Sequence, residues 1–517
     1  MFSVSVTTVL LGWTVFICCA WLIRRPKNLP PGPWSWPVIG YRAGPGQLHE
    51  CYTGLSRRYG PIFSLRRGPF LVVVLNNRDV IRQALVKHAD MISDRFIPKH
   101  VQMGIPTSNP HASVVWSSGK PWGDLRKFSL TALRNFGMGK RSIEPHINIE
   151  ARYLCEEIKK LRGHPTDLRT MLNNTSANVI CKIVFGRRFE YDDEEFQRIL
   201  GAFFESVSNI SGSDLVNVFS FLLHMPRYDR FRRNRSVFTT FIKSHMKLHT
   251  SSFEKDNIRD IIDAYLADDG ISRDFTVQEF GRVVLDYFVA GTETTSTVLS
   301  WAILYLALYP EVQRKVQCEL DTVVGNGRQP AISDRARLPY CEATLMETMR
   351  IRPVVPLSVP HMTSGSVSLG GFTIPEGTII IPNLWAAHHD PDVWDDPDDF
   401  HPERFLDNQD SPTVKKNDSW IPFGLGRREC LGAQLAKMEV FLMFVNLFQR
   451  FEFKLPHHHC THTKPGASGL IMPPEPYELF RSSLFVSGRV CIKYYSVLCD
   501  AFCLLRSAKR VWHNTLH

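Results

Sequence analysis

The sequence predicts a mostly α-helical fold with a small β-rich part, one large domain behind an N-terminal transmembrane anchor. Three observations carry that prediction. Helical patterning dominates from Trp122 to Leu266 and returns over 275–308, 311–323, 341–350 and 433–451. β-Branched and aromatic runs cluster in only two places, 61–76 and 367–381. No repeat and no hinge divides the 517 residues into separate cores.

Taken in order, residues 2–23 carry no charge and are mostly apolar, which predicts a membrane-spanning helix. Arg24, Arg25 and Lys27 follow at once, so the positive-inside rule places the bulk of the chain in the cytosol. A cleaved signal peptide would need a basic leading segment, which is missing. Pro30-Pro31-Gly32-Pro33-Trp34-Ser35-Trp36-Pro37 cannot be helical, because proline lacks the donor and clashes with the preceding turn; it reads as a stiff connector. The boundaries are an anchor at 1–24, a basic, Pro-rich connector at 25–50, a main domain at 51–481 and an extension at 482–517. Within the domain, Ile62–Arg66 and Phe70–Leu75 form a hairpin about Gly68-Pro69. Asn77 caps a short helix to Lys87, and Gly137, Gly163-His164-Pro165 and Gly186 break the helical stretch that follows.

The chemistry concentrates in Phe423-Gly424-Leu425-Gly426-Arg427-Arg428-Glu429-Cys430-Leu431-Gly432. A free thiol is neutral near pH 7, whereas a metal-bound one is deprotonated. The glycines permit tight turns and close approach of backbone to a flat cofactor. Backbone N–H groups and the start of a following helix can face the sulfur. A buried structural cysteine is the plain alternative for a lone residue. Phe423, Gly426, Arg428, Cys430 and Gly432 together, however, resemble the cysteine-ligand loop of the cytochrome P450s. From about Pro30 to Phe480 the chain is similar to the microsomal family 2 branch.

That resemblance implies the cytochrome P450 fold, a single large haem domain, with haem b (iron protoporphyrin IX) held through Cys430 as axial thiolate and metal ligand. Thiolate ligation favours O–O cleavage. It implies a monooxygenase that inserts one atom of O₂ into a lipophilic substrate such as a fatty acid, steroid or xenobiotic. Ala290-Gly291-Thr292-Glu293-Thr294-Thr295 matches the family's oxygen-binding segment. Hydroxyls at mid-helix can return a bond to the i−4 carbonyl and interrupt the helix there. Thr294 is expected to hold a proton-delivering water, and Glu293 to pass protons inward. Trp122, Arg126, Arg428, His361 and Arg95 correspond to haem propionate contacts. Glu347 and Arg350 share a helical face, and the family adds Arg404 as a third partner. Such a cluster holds the core behind the haem.

No flavin or nicotinamide domain is recognisable, so electrons must come from a separate NADPH–cytochrome P450 reductase, with cytochrome b5 as a helper. Lys127, Arg427 and Lys437 are candidates for that docking face. The net charge of +10 comes from scattered residues and fits a membrane surface and an acidic redox partner better than nucleic acid. Twelve cysteines are too sparse for a disulfide scaffold. The family usually ends near Ser468–Ile471, which makes 482–517 atypical. By resemblance the pocket is lined from 100–115, 201–207, 285–294, 354–359 and 469–472. Apolar side chains prevail there: Phe203, Phe204, Phe288, Val289, Ala290, Val354, Val355, Leu357 and Ile471. The resemblance places the protein in the endoplasmic reticulum membrane with its catalytic domain in the cytosol. An oxygen-independent P450 isomerase or dehydratase of oxygenated lipids, and a non-enzymatic haem sensor, stay open as alternatives. His457, His458, His459, Cys460 and His462 form a polar loop without zinc-finger spacing.

Overall fold

Alternating β-branched residues draw the 62–75 region into an antiparallel hairpin, β1 (Ile62–Arg67) and β2 (Phe70–Leu75), with Ile62 opposite Leu75 and Arg67 opposite Phe70. The computed structural model describes residues 6–23, 28–36, 39–44, 46–104, 109, 111–162, 164–208, 217, 220–407, 412–456, 465–466 and 469–483. Two-residue strands β3 (Asp94–Arg95) and β4 (His361–Met362), hairpin strands β5 (Val367–Leu369) and β6 (Phe372–Ile374), and β7 (Ile379–Pro382) follow. They are completed by β8 (Phe451–Lys454) and β9 (Phe480–Ser483). The main sheet runs β1-β2-β7-β4-β3, so distant segments 94–95 and 361–362 meet at its far edge.

The helices are α1 (Val6–Ile23), α2 (Leu48–Tyr59), α3 (Arg78–Arg82), α4 (Lys99–Gly104), α5 (Gly119–Asn135), α6 (Glu144–Lys160), α7 (Arg169–Phe185) and α8 (Glu194–Ser208). Then come α9 (Asp229–Ser251), α10 (Ile261–Ala267), α11 (Asp269–Asp274), α12 (Val277–Leu308), α13 (Pro310–Val323), α14 (Pro339–Ile351), α15 (Leu384–His388) and α16 (Ala433–Arg450). Their ends follow local chemistry. Asn77 Oδ1 accepts from the Val80 N–H at 3.0 Å and starts α3, which passes directly into a π-helical turn at Gln83–Lys87. Gly186 ends α7 in the left-handed region at φ +67°. Thr276 and Glu279 form a reciprocal capping box that opens α12.

Helix α12 is the spine. It packs along α7 and also meets α9, α14 and α16. Trp301, Leu299, Phe441, Phe444 and Phe448 are fully buried around it, each contributing about 1.5–3 kcal/mol by removal from water. The sequence reading has the helix interrupted at Ala290–Thr295. Instead α12 runs unbroken, because the Thr292 and Thr294 hydroxyls donate to the Phe288 and Ala290 carbonyls at 2.7 Å without displacing the helical ladder.

Behind this spine lies a buried charge cluster. Glu347 and Arg350 are wholly buried, and Arg350 donates to both Glu347 oxygens at 2.7 and 2.8 Å. Arg404 Nε donates to Glu347 Oε1 at 3.0 Å, as does the His401 N–H at 2.9 Å. Arg350 Nη1 also reaches the His388 and Pro397 carbonyls at 2.8 Å.

The proline-rich connector is not a free linker. The Ser64 N–H donates to the Pro31 carbonyl at 2.8 Å, and Ser64 Oγ to the Pro30 carbonyl at 2.6 Å. The Tyr41 N–H reaches Arg66 O, and the Gly68 N–H reaches Ile39 O. A Cβ on Gly32 would stand 1.7 Å from Ser64 O, so only glycine allows this strap to lie against β1.

One expectation is overturned. No described helix is long and apolar enough to cross a membrane. Helix α1 has 18 residues, about 27 Å at ~1.5 Å per residue, against a hydrocarbon core of about 30 Å. The transmembrane anchor at 1–24, the microsomal membrane assignment and the endoplasmic reticulum location that rested on it therefore do not stand. Residues 484–517 of the C-terminal extension and the 457–464 histidine tract lie outside the described residues.

Glu347→Gln should strand two buried guanidinium groups and lower unfolding free energy by about 3–5 kcal/mol, measurable by urea denaturation of the purified protein.

Candidate active site

The Cys430 loop is shaped by its glycines. Gly424 and Gly426 both sit at φ +74°, and a Cβ on Gly426 would lie 2.0 Å from the Leu85 carbonyl. The π-helical turn containing Leu85 is thus seated directly on the loop. The Cys430 N–H donates to the Phe423 carbonyl at 2.9 Å and closes the turn. Gly432 then caps α16, with its N–H directed at the cysteine sulfur. Cys430 is accessible, yet surrounding protein pushes its thiol pKa up by desolvation, while the Gly432 N–H and the Arg126 charge pull it down. Ala290, at the middle of the otherwise buried α12, is likewise exposed. Accessible surface so deep in the fold marks internal space, not the outer face. Cys155, Cys181 and Cys341 are free and buried.

Beside the cysteine loop stands a collar of cations. The Arg428 guanidinium lies 3.7 Å over the Trp122 ring, with Arg427 at 5.7 Å and Arg126 at 5.9 Å. Arg126 Nη2 donates to the Glu429 carbonyl at 2.7 Å, next to Cys430. Arg428 donates to the Ser93 and Ser117 carbonyls at 2.7 and 2.6 Å. Arg95 sits opposite His361 across the β3–β4 pair and donates to the Val359 carbonyl at 2.5 Å. His361 Nδ1 faces the Ile92 carbonyl at 2.7 Å. Burial, and then neighbouring arginines, depress Arg95 to about 9 and Arg428 to about 8, and hold His361 well below its ordinary range.

These side chains fit the haem that the sequence resemblance implies. Crowded arginines do not lose their protons; such depression signals cations held out of water close to one another, with Asp94 only partly offsetting it at Arg428. Trp122 Nε1 and Arg95 Nε are buried donors with no partner in the protein. A flat ligand bearing two carboxylates would meet both needs. The sequence-derived residues Trp122, Arg126, Arg428, Arg95 and His361 are thus brought together next to Cys430.

Thr294 and Glu293 stand on α12. Thr294 Oγ1 donates to Ala290 O, and Glu293 Oε2 is buried without a partner. Burial raises the Glu293 carboxyl to about 7, opposed by Arg169 at the start of α7. Of the docking candidates, Lys127 is exposed, Arg427 pairs with Asp90 at 2.5 Å, and Lys437 rests over the Phe423 and Trp420 rings at 5.1 and 5.4 Å.

One functional residue was missed from sequence. Asp286 is buried and accepts from Ser113 Oγ at 2.6 Å and from the Val114 N–H at 2.9 Å, anchoring the 113–115 loop to α12. A lone carboxylate in an apolar helical run was the available signal.

Comparison with known proteins follows the same lines. The family description "Cytochrome P450" matches residues 26–481. The chain is 40% identical to cytochrome P450 2U1 of Bos taurus, covering 92% of each chain. It is 38% identical to cytochrome P450 2U1 of Homo sapiens, covering 91% of each. Against cytochrome P450 2J2 of Homo sapiens it is 38% identical, over 87% of this chain and 91% of that protein.

Because its folded pKa is raised, Glu293 should make stability fall as pH climbs from about 4.5 toward about 7. Glu293→Gln should abolish that slope and gain ~1–3 kcal/mol near pH 8, read from denaturant melts across pH.

Proposed function

This chain belongs to the cytochrome P450 family, in its family 2-like branch, and from that premise we propose how its own residues serve the reaction. It is a haem-thiolate monooxygenase that uses haem b. Nothing in the comparisons favours an oxygen-independent isomerase or a haem sensor. Bound haem supplies the oxygen-activating redox chemistry.

Cys430 provides the thiolate, and the Gly432 N–H tempers its charge. Trp122, Arg126, Arg428 and Arg95 receive the two propionates. His361 supports them through its pairing with Arg95; its Nδ1 faces the Ile92 carbonyl. The observation that carries this reading is the cation collar with orphaned donors beside an accessible cysteine.

Thr294 holds a water with its hydroxyl, and Glu293 exchanges the proton. A carboxyl held near pH 7 suits that exchange, because it both gives and takes protons at working pH. Asp286 fixes the 113–115 loop that borders the pocket.

The substrate is lipophilic, a fatty acid, steroid or xenobiotic. Support comes from the apolar character of the segments that the resemblance assigns to the pocket, where the Phe203 ring packs 5.0 Å from Phe204 and 6.2 Å from Phe288. Residues 105–108 of the expected lining lie outside the described residues. Electrons arrive from a separate reductase, as the family requires. NADPH–cytochrome P450 reductase is the proposed donor and cytochrome b5 the helper, with Lys127, Arg427 and Lys437 on the docking face. The catalytic domain is taken as 51–481, with 482–517 as an added extension.

A lipid and drug panel with reconstituted reductase, read by product mass, tests the function; no oxygenated product from any lipophilic compound would overturn it. Cys430→Ser should abolish the red-shifted Soret band of the carbon monoxide-bound reduced protein. Thr294→Val should lower product formed per NADPH consumed on the order of 10²-fold while leaving that band in place.

A further inference from the structure

We propose that His249 and Asp260 form a proton-held clasp that pins the C-terminal end of α9 to the start of α10 and opens under alkaline conditions. The geometry points to it directly. His249 is buried in the last turn of α9; its Nδ1 lies 2.8 Å from the His245 carbonyl and its Nε2 lies 2.8 Å from Asp260 Oδ2. A carbonyl and a carboxylate are both acceptors, and a neutral imidazole carries a single N–H. Keeping both bonds demands one proton more than a neutral ring and an ionised carboxylate possess together.

The neighbouring carboxylates are already engaged. Asp260, 1% exposed, caps α10 by accepting the Asp263 N–H at 3.0 Å on its other oxygen. Asp263, fully buried, accepts Arg259 Nε at 2.5 Å and Nη2 at 2.9 Å. Gly186, in its left-handed turn at the end of α7, makes room: a Cβ there would stand 2.8 Å from Asp260 Oδ2. His249, Asp260 and Asp263 bring ligand atoms within 4.8 Å of one another, but a shared proton and a guanidinium already fill those atoms. The cluster is therefore built for a proton and not for a metal ion.

The surrounding charges set the direction. Burial disfavours the charged ring, but the Asp260 carboxylate, the His245 carbonyl and then Asp263 outweigh it and raise His249 above its ordinary pKa. On the same helix His245 is held low by burial, with Arg187 after α7 and Glu195 on α8 acting on it in opposite senses. A raised folded pKa means the clasp contributes fully below about pH 6.5 and is lost as pH rises through the folded value. Above it, either Asp260 loses its buried donor or an unprotonated Nδ1 faces the His245 carbonyl, acceptor against acceptor. Helix α9 packs on α8 and α12, so the clasp ties a proton to the seating of a helix that covers them.

Hydrogen–deuterium exchange of the haem-loaded protein between about pH 6 and about pH 9, corrected for intrinsic rates, tests this. Protection over 246–263 should fall by up to about tenfold per pH unit from about pH 6.5 up to the folded pKa and level off above it, while α14 keeps its protection. His249→Gln and Asp260→Asn should show low protection at every pH, with no slope. PH-independent protection of the parent over 246–263, or the parent's slope persisting in either variant, would overturn the clasp. The parent measurement decides the matter even if neither variant loads haem.

Discussion

The buried Glu347 carboxylate is the fixed point of this molecule. It gathers Arg350, Arg404 and the His401 N–H, and through Arg350 it reaches the carbonyls of His388 and Pro397. Those contacts order the irregular chain between α15 and the cysteine loop, which has little regular structure of its own. Neighbouring bonds extend the anchorage: Trp420 Nε1 donates to Met346 O, and the Ile421 N–H donates to His388 Nε2. A buried ion pair is weak support for net stability, since desolvation offsets its attraction. Its value here is positional. A long non-repetitive segment is held in one arrangement because any other leaves full charges unpaired in a dry core.

The second organising constraint is an imbalance. Around Trp122 the protein places the guanidinium groups of Arg126, Arg427 and Arg428, and among the described residues only Arg427 has a carboxylate in an ion pair, Asp90. Left alone, that assembly is electrostatically incomplete. A dianionic flat ligand would supply the missing negative charge at residues that stand beside Cys430. Binding energy and ligand orientation thus come from the one set of residues. Glu293 presents the converse case, a carboxyl kept near neutrality by burial so that its proton is exchangeable. Both follow from removing charge from water, with opposite outcomes fixed by what stands nearby.

Much of this was legible in the sequence. The hairpin at 62–75, the Asn77 cap, the Gly186 stop and the long α12 followed from local signals that depend on a few adjacent residues. The cysteine loop was legible because its glycines serve a close approach, as Gly426 against Leu85 demonstrates. Asp286 and the His249–Asp260 pair were not legible. Asp286 depends on a partner 173 residues away, and the His249–Asp260 pair depends on how the turn between two helices folds back, which no local pattern reports. The N-terminal apolar run was read as a span from composition alone, and no described helix is long and apolar enough to cross a membrane. The run at Ala290–Thr295 misled because hydroxyls that can break a helix can equally be absorbed by it.

The strap over β1 has a consequence for solubility. In the order β1-β2-β7-β4-β3, β1 is an outer strand, whose outward amides and carbonyls would have no strand partner without the strap. Such a rim is a template for another molecule's backbone, and proteins that leave it bare are prone to stack. Here residues 30–36 and 39–41 lie along it, and Pro30, Pro31 and Pro33 cannot themselves pass the pairing outward. The segment that looked like a mere spacer is a built-in guard against self-association.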